Sequence, residues 1–317
     1  MTDNKPLVSV LIITYKHEAY IAQAIESVIS QQVNFPIEIV IGEDKSPDRT
    51  REICEQYAER YPDVIRLLPS GRNYGPIGNC IRTLEACRGK YVATLEGDDY
   101  WSLANKLQTQ VDFLEANPDF TICFTGVEVK DELGWNLPAG YYFPLPQKDV
   151  FTIEDFILSE MNIIPTPTLV FKNVLPYPLP DFYRQAMVGD MGMQLFAADK
   201  GKAKWLSENT AVYRNHGGGV TKSRANIEKA DAALMKFYRA CNAFMGYRHD
   251  KAFRLRFLEN AKMHLIFGAA GKKGMDRVRH YFRRMPAYLK YSDKRNIKEL
   301  LYYHYVLLFP SRLNKKR

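Results

Sequence analysis

Three carboxylates, Glu96, Asp98 and Asp99, fall within four positions of the stretch VATLEGDDYW, where an apolar run gives way to two aromatics. Like charges this close repel and raise one another's pKa values, so a fold holds them most readily with a cation or a proton among them. Hard oxygen ligands suit a hard divalent cation, and a metal site is the first expectation. The plainer alternative is a solvated turn that precedes a helix. Further polar residues punctuate the chain in the same way: Tyr15 to His17, Glu43 to Ser46 and Ser70 to Tyr74 each follow an apolar run.

The elements that must position these residues alternate. LVSVLIITY reads as a buried strand, and AYIAQAIESVISQQ as a helix whose Ile21, Ile25, Val28 and Ile29 share one face. IEIVIGED is a second strand, and SPDRTREICEQYAERYP a second helix with Ser46 or Asp48 as its cap. VIRLLPS, PIGNCIRTLEACRG and KYVATLEGDD supply a third strand, a third helix closed by Gly89 as C-cap, and a fourth strand. This βαβαβαβ order predicts a doubly wound, mostly parallel α/β sheet, and ligands of such sheets lie beyond the carboxyl ends of the strands. After residue 118 the alternation loosens: FTICFTGVEVKD and PTPTLVFKN read as strands, TIEDFILSE as a short helix, VGDMGMQLFAADKG as a helix opening on Asp190, and KAKWLSENTAVYRNHGGG as a strand and a glycine-rich loop. From Ile227 onward the pattern is helical.

Composition narrows the function. With 317 residues, 46% of them apolar, the chain can bury a full core and an appendage. No apolar run reaches membrane-spanning length, and MTDNKPLVSV lacks the features of a signal peptide, so a cytoplasmic location is expected. The five cysteines have no C-x-x-C spacing, which argues for buried thiols rather than disulfides or zinc. Charge is split: residues 1–220 hold 20 Lys and Arg against 29 Asp and Glu, while 221–317 hold 24 against 7. An acidic body, 1–221, joined to a basic helical region, 222–317, is the expected organisation. The glycine patterns of dinucleotide and P-loop phosphate cradles are absent.

VSVLIITYKHEAYIAQAIESVISQ, IGEDKSPDRT and GRNYGPIGNCIRTLEACRGKYVATLEGDD, in that order, resemble a family 2 glycosyltransferase of the Rossmann-like GT-A fold, and the likeness runs from residue 7 to about 221. That resemblance implies an inverting transfer of sugar from a nucleotide-sugar, UDP being the family's commonest carrier, to a hydroxyl acceptor in cell-surface glycan assembly. It implies nucleotide-sugar contacts at Thr14, Tyr15, Glu43, Asp44, Arg72, Asn73, Glu96 and Asp98. It places a Mn²⁺ or Mg²⁺ at Asp98, Asp99 and His216 of the YRNH loop, and a general base at Asp190, with Asp181 as the fallback. The chain departs from the family pattern at Lys45, where glycine is usual, and at Gly189, where Glu is common. Asp190 can also cap its helix, and Arg214 can pair with phosphate.

Two rival classes fit the sequence less well than the transferase. A sugar-nucleotide nucleotidyltransferase calls for a glycine-rich, arginine-containing loop after the first strand, and TYKHEAY has none. A non-catalytic nucleotide-sugar-binding scaffold calls for no carboxylates, yet both acidic sites persist. The basic region reads either as a surface for anionic membrane, reached by a lipid-linked glycan acceptor, or as a helical cap packed on the body. No nucleic-acid motif accompanies its charge.

Overall fold

The computed structural model describes residues 5–135, 140, 142–143, 145–159, 162–185, 189–217, 227–270 and 274–292. Its first half realises the alternation: β1 Val8–Thr14, α1 Ile21–Ile29, β2 Ile37–Glu43, α2 Thr50–Arg60, β3 Ile65–Leu67, α3 Gly75–Glu85 and β4 Tyr91–Glu96. These four strands pair in parallel in the order β3-β2-β1-β4. Val10 and Ile12 of β1, Ile39 and Ile41 of β2, and Ile21, Ile25 and Val28 of α1 are fully buried together. Each such side chain contributes roughly 1.5–3 kcal/mol of hydrophobic stabilisation. Register then fixes the site: Thr14 pairs with Glu43 and Ile13 with Glu96, so three strands end side by side on polar residues.

Beyond β4 the chain forms β5 Tyr100–Trp101, α4 Lys106–Ala116, β6 Phe120–Asp131, β7 Val150–Phe151, α5 Ile153–Leu158, β8 Val170–Lys172, α6 Gly189–Ala198 and β9 Lys202–Asn215. Among the described residues the sheet has nine strands, in the order β3-β2-β1-β4-β8-β6-β9-β5, with β7 paired to β9. β8 runs antiparallel to β4 and β6, while β6 and β9 are parallel. The sheet is thus parallel through β4 and mixed beyond it, with helices around it, the α/β architecture expected.

Two local expectations are corrected, and one helix is added. Gly89 does not cap α3, whose cap is Ala86 in a right-handed conformation; a Cβ at Gly89 would lie 2.5 Å from the Ser9 nitrogen, so glycine is required for close approach to β1. α2 opens after Arg49, so neither Ser46 nor Asp48 is its N-cap; Asp48, one residue earlier, accepts the Thr50 N–H through Oδ1 at 3.2 Å, and Ser46 Oγ serves the loop after β1 by accepting the Lys16 N–H at 3.0 Å. Helix α4 had no counterpart in the sequence reading. Its buried face mixes Leu107, Val111 and Leu114 with Lys106 and Gln110, and these two polar residues blur the apolar period. All five cysteines are free thiols and buried.

The chain divides into two compact units, Met1–Phe237 and Tyr238–Arg317. The expected boundary at 221 falls in residues 218–226, outside the described ones. The division lies within α7, Ile227–Phe244, which α8, Asp250–Ala270, and α9, Gly274–Tyr291, follow. In the second unit Leu258, Ala261 and Tyr288 form a buried cluster with Met285 and Tyr291 against it. No helix among the described residues is long and apolar enough to cross a membrane.

Candidate active site

The acidic turn leaves β4 at Glu96 and folds back at once, the Asp99 N–H donating to the Glu96 carbonyl at 3.1 Å. Gly97 makes this possible. A Cβ there would stand 2.4 Å from Thr14 Oγ1 and 3.1 Å from His17 Nδ1, so only glycine lets the loop after β1 lie against the turn. His17 then reaches the turn itself, its Nε2 3.6 Å from Asp98 Oδ2 and its Nδ1 3.2 Å from Thr14 Oγ1. His216, just past β9, brings its Nε2 to 2.9 Å from the same Asp98 oxygen. It is 8% exposed, a buried partner of the acidic turn rather than a solvated loop residue.

Asp99 is held from the end of β9. Its Oδ1 accepts the Arg214 N–H at 2.9 Å, and its buried Oδ2 has no hydrogen-bond partner. The Arg214 guanidinium donates to the Asp98 carbonyl and to Gln23 Oε1, lies 3.6 Å from Glu132, and sits over the rings of Tyr20 and Tyr100 at 4.9 and 4.5 Å. Through these contacts Arg214 holds the turn in place.

Electrostatics follow from this crowding. Burial pushes the Glu96 carboxyl well above its ordinary range, and the charges of Asp99, Asp98 and Asp190 add to the rise. Asp99 is raised likewise by burial and by Asp98, against the opposing pull of Arg214. Burial also acts to raise Asp98, but the hydrogen bond from His216 and the charge of His17 outweigh it and leave Asp98 below its usual range. His17 is lowered, chiefly by burial.

These side chains suit a divalent cation of one kind. Among the described residues no three His, Cys, Asp or Glu side chains converge as an all-protein cage would need. Mg²⁺ and its analogues are instead held by one or two carboxylates while substrate phosphates fill other positions. Asp98 paired with His216, and the orphaned Asp99 oxygen behind them, match that donor set.

At the opposite side of the rim the loops after β2 and β3 are tied together. Asp44 Oδ1 accepts the Tyr74 N–H at 2.6 Å, and Asn73 Nδ2 donates to the Asp44 carbonyl at 2.8 Å. Burial raises the Asp44 carboxyl, and the Tyr74 hydrogen bond opposes the rise. Lys45 adopts φ +57°, a left-handed conformation, which accounts for a position where glycine is usual. Arg72 is exposed with its guanidinium 4.9 Å over the Tyr74 ring, and Tyr15 is exposed beside Thr14. Glu43 is fully buried under the turn, accepting the Ser46 N–H at 2.6 Å and facing Arg51 at 3.8 Å. Arg82, which sequence reasoning passed over, donates to the Glu43, Pro69 and Asn79 oxygens, each within 2.9 Å, and braces both loops.

Asp190 enters from α6. It is 6% exposed, and both of its hydrogen bonds fall on one oxygen: Oδ2 accepts from Asn162 Nδ2 at 2.7 Å and from Thr166 Oγ1 at 3.1 Å, while Oδ1 has no partner. Burial raises its pKa against these two bonds and, to a smaller extent, against the backbone N–H groups of Met191 and Asp190. Its charge helps to push up Glu96, so it belongs to the same electrostatic neighbourhood as the acidic turn. Gly189 stands where a Cβ would meet Cys80 Sγ at 3.0 Å, which explains the absence of a larger residue there. Asp181 lies exposed at the start of a 3₁₀ turn, Asp181–Gln185. His17, Asn162 and Thr166 were given no role by the sequence; His17 alone had a signal, its place in the loop directly after β1.

A parallel βα half that ends in an acidic turn, extended by mixed strands and carrying a separate buried aspartate, defines a GT-A type of glycosyltransferase. Residues 9–171 match the model of glycosyl transferase family 2, and the chain belongs to that family. Mycobacterium tuberculosis Rv1520 is 34% identical over 215 residues, 68% of this chain and 60% of that protein, so the chain spans under two thirds of that relative's length. A Bacillus subtilis protein named as a teichuronic acid biosynthesis glycosyltransferase, TuaG, is 34% identical over 145 residues, 45% of this chain and 56% of TuaG. Among solved structures, S. aureus TarS 1–349 in complex with UDP-GlcNAc is similar with a TM-score of 0.62 at 17% identity, covering 91% of this chain and 82% of that one. This likeness is one of fold.

Proposed function

We propose that this chain transfers a sugar, with inversion at the anomeric carbon, from a nucleoside-diphosphate-sugar to a hydroxyl of a glycan or lipid-linked glycan during cell-surface glycan assembly. The observation that carries this reading is the pairing, on one rim, of the Asp98–His216 turn with a buried Asp190 whose Oδ1 is uncommitted. The acceptor hydroxyl attacks the anomeric carbon, its proton passes to Asp190 Oδ1, and the nucleoside diphosphate departs from the opposite face. A divalent cation held by Asp98 and His216, with Asp99 beside them, would neutralise charge on the departing diphosphate. Asp44, Arg72 and Asn73 line the nucleotide end with Thr14 and Tyr15. Glu43 shapes that end from below, and Glu96 lies nearer the sugar. TarS, crystallised with UDP-GlcNAc, favours a UDP-linked N-acetylhexosamine among the donors, and TuaG's name favours a wall-type glycan as acceptor.

Screening UDP-, GDP- and dTDP-sugars with Mn²⁺ by thermal shift tests the donor. A ligand at 100 times its Kd stabilises by about 2.7 kcal/mol, so the true donor class stands out. Silence from all three classes at millimolar concentration would sink the reading.

The second unit carries the basic excess. Arg279, Arg283 and Lys290 are exposed on α9 together with Phe282, 54% exposed, and Leu289. Apolar anchors among cations fit the anionic inner face of the cytoplasmic membrane, where each cation contributes about 1 kcal/mol. The full-length chain is expected to co-sediment with phosphatidylglycerol vesicles at low salt and to be released at high salt. Equal recovery on neutral vesicles would leave α9 with a packing role only.

A further inference from the structure

The geometry points to Thr166 and Asn162 as positioning residues that lock the Asp190 carboxylate in one orientation, committing Oδ2 to the protein and leaving Oδ1 to the acceptor. The inference rests on the reading of Asp190 as the general base. Neither residue belongs to a motif, and both come from the segment between α5 and β8, the strand that pairs with β4.

Three features make this a built device. First, both donors converge on one oxygen, at 2.7 Å from Asn162 Nδ2 and 3.1 Å from Thr166 Oγ1. A carboxylate that satisfied its needs at random would share its donors between two oxygens, and here the second is buried with none. Secondly, the Asn162 amide cannot turn over without loss, because its Oδ1 accepts the Ile164 N–H at 3.3 Å while its Nδ2 faces Asp190.

Thirdly, the turn that carries Thr166, the 3₁₀ stretch Thr166–Thr168, is held at four successive carbonyls. Thr94 Oγ1 donates to the Thr166 carbonyl at 2.5 Å, Trp101 Nε1 to Pro167 at 2.8 Å, Gln110 Nε2 to Thr168 at 2.9 Å, and the Thr94 N–H to Leu169 at 3.1 Å. Gln110 is fixed in turn by Lys106, whose Nζ donates to Gln110 Oε1 at 2.7 Å and lies 4.4 Å over the Trp101 ring. Trp101 is two residues beyond Asp99. The strand that ends in the acidic turn, and the indole just after that turn, therefore set the height of the turn that holds the base. Buried polar networks of this kind rigidify when every member is satisfied.

The consequence is chemical as well as geometric. Hydrogen bonds to Oδ2 favour the ionised carboxylate and oppose the upward push of burial. Other groups facing Asp190 are Cys80 on α3, Glu96 at the end of β4, and Tyr183, whose hydroxyl donates to the Gly189 carbonyl at 2.5 Å. None of these donates to the carboxylate, so Asn162 and Thr166 are the side chains that favour its ionised form, with smaller help from the Met191 and Asp190 backbone N–H groups.

The test is a pH titration of the full-length protein labelled with ¹³C at the aspartate carboxyl carbon, the Asp190 signal being assigned by its loss in Asp190→Asn. Thr166→Val keeps the side-chain shape and removes the donor, and is expected to move the Asp190 midpoint up by about one pH unit. Thr166→Ser keeps the hydroxyl and should restore the wild-type midpoint; Asn162→Ala should shift it in the same direction as Thr166→Val. The acidic limb of the kcat profile should rise by the same amount in Thr166→Val, with UDP affinity unchanged. An unchanged midpoint in both Thr166→Val and Asn162→Ala overturns the assignment, and either variant suffices if the other does not fold. A shifted midpoint alongside full activity in Asp190→Asn would instead remove Asp190 as the base and leave the clamp standing.

Discussion

Asp190→Asn is expected to lower kcat by about 10²- to 10⁴-fold while leaving affinity for the donor nucleotide close to wild type. The reason lies in the carboxylate's two unequal oxygens. In the variant the amide oxygen can still take the hydrogen bonds from Asn162 and Thr166, which hold it in place at 2.7 and 3.1 Å in the wild-type protein. The amide NH₂ then occupies the position of Oδ1. It presents two N–H donors where the reaction needs an acceptor, and no proton can pass to it. Fold and helix α6 are preserved because the shape and the Oδ2 contacts are preserved. Deprotonation belongs to the transition state, so the loss appears in kcat and not in nucleotide binding. Steady-state transfer measured beside calorimetric UDP titration separates the two. A variant within threefold of wild-type kcat, with chemistry shown to be rate-limiting, would dismiss Asp190. The exposed Asp181 would then be next to test.

How far such roles can be read in advance depends on the range of the forces that set them. The first four strands were legible because each is a short apolar run between turn residues, and parallel register then brings Thr14, Glu43 and Glu96 together without further information. The acidic turn was legible by its charge alone. Helix α4 was not, since Lys106 and Gln110 occupy its inner face for reasons visible only once Trp101, Cys123 and Thr168 surround them. His17 looked like any loop histidine until Gly97 allowed the β1 loop to lie on the acidic turn. Thr166 and Asn162 lie 24 and 28 residues from Asp190 in sequence; Thr166 sits at the start of a stretch that reads as a strand but opens as a 3₁₀ turn, with β8 confined to Val170–Lys172. Arg214 shows a contact that only the fold supplies: the sequence suggests a phosphate partner for it, and the structure turns its guanidinium onto the Asp98 carbonyl and Gln23 Oε1.

Asp98→Asn is expected to remove most of the Mn²⁺-dependent part of UDP binding, weakening affinity in Mn²⁺ by about 10- to 100-fold and leaving affinity in EDTA unchanged. Even loss of a group that merely orients a metal ligand costs this much, and Asp98 is proposed as a ligand itself. Its Oδ2 is the atom on which His216 and His17 converge, at 2.9 and 3.6 Å, whereas Asp99 spends one oxygen on the Arg214 N–H. The two aspartates should therefore fail differently. Asp98→Asn keeps a hydrogen bond to His216 and takes a like charge away from Glu96 and Asp99, both of which that charge pushes up. Its apo melting temperature should stay close to wild type. Asp99→Asn also weakens the metal-dependent part, but it replaces a charged acceptor of the Arg214 N–H by a neutral one inside a buried network. Part of its cost should appear as lost stability, of the order of 1 kcal/mol for a weakened charge-assisted bond. Calorimetric UDP titrations in Mn²⁺ and in EDTA, with melting curves of the apo proteins, resolve the two outcomes. Wild-type protein that binds UDP equally well in EDTA and in Mn²⁺ would take the cation out of donor binding, and the crowding of three carboxylates at this strand end would then require protons in its place.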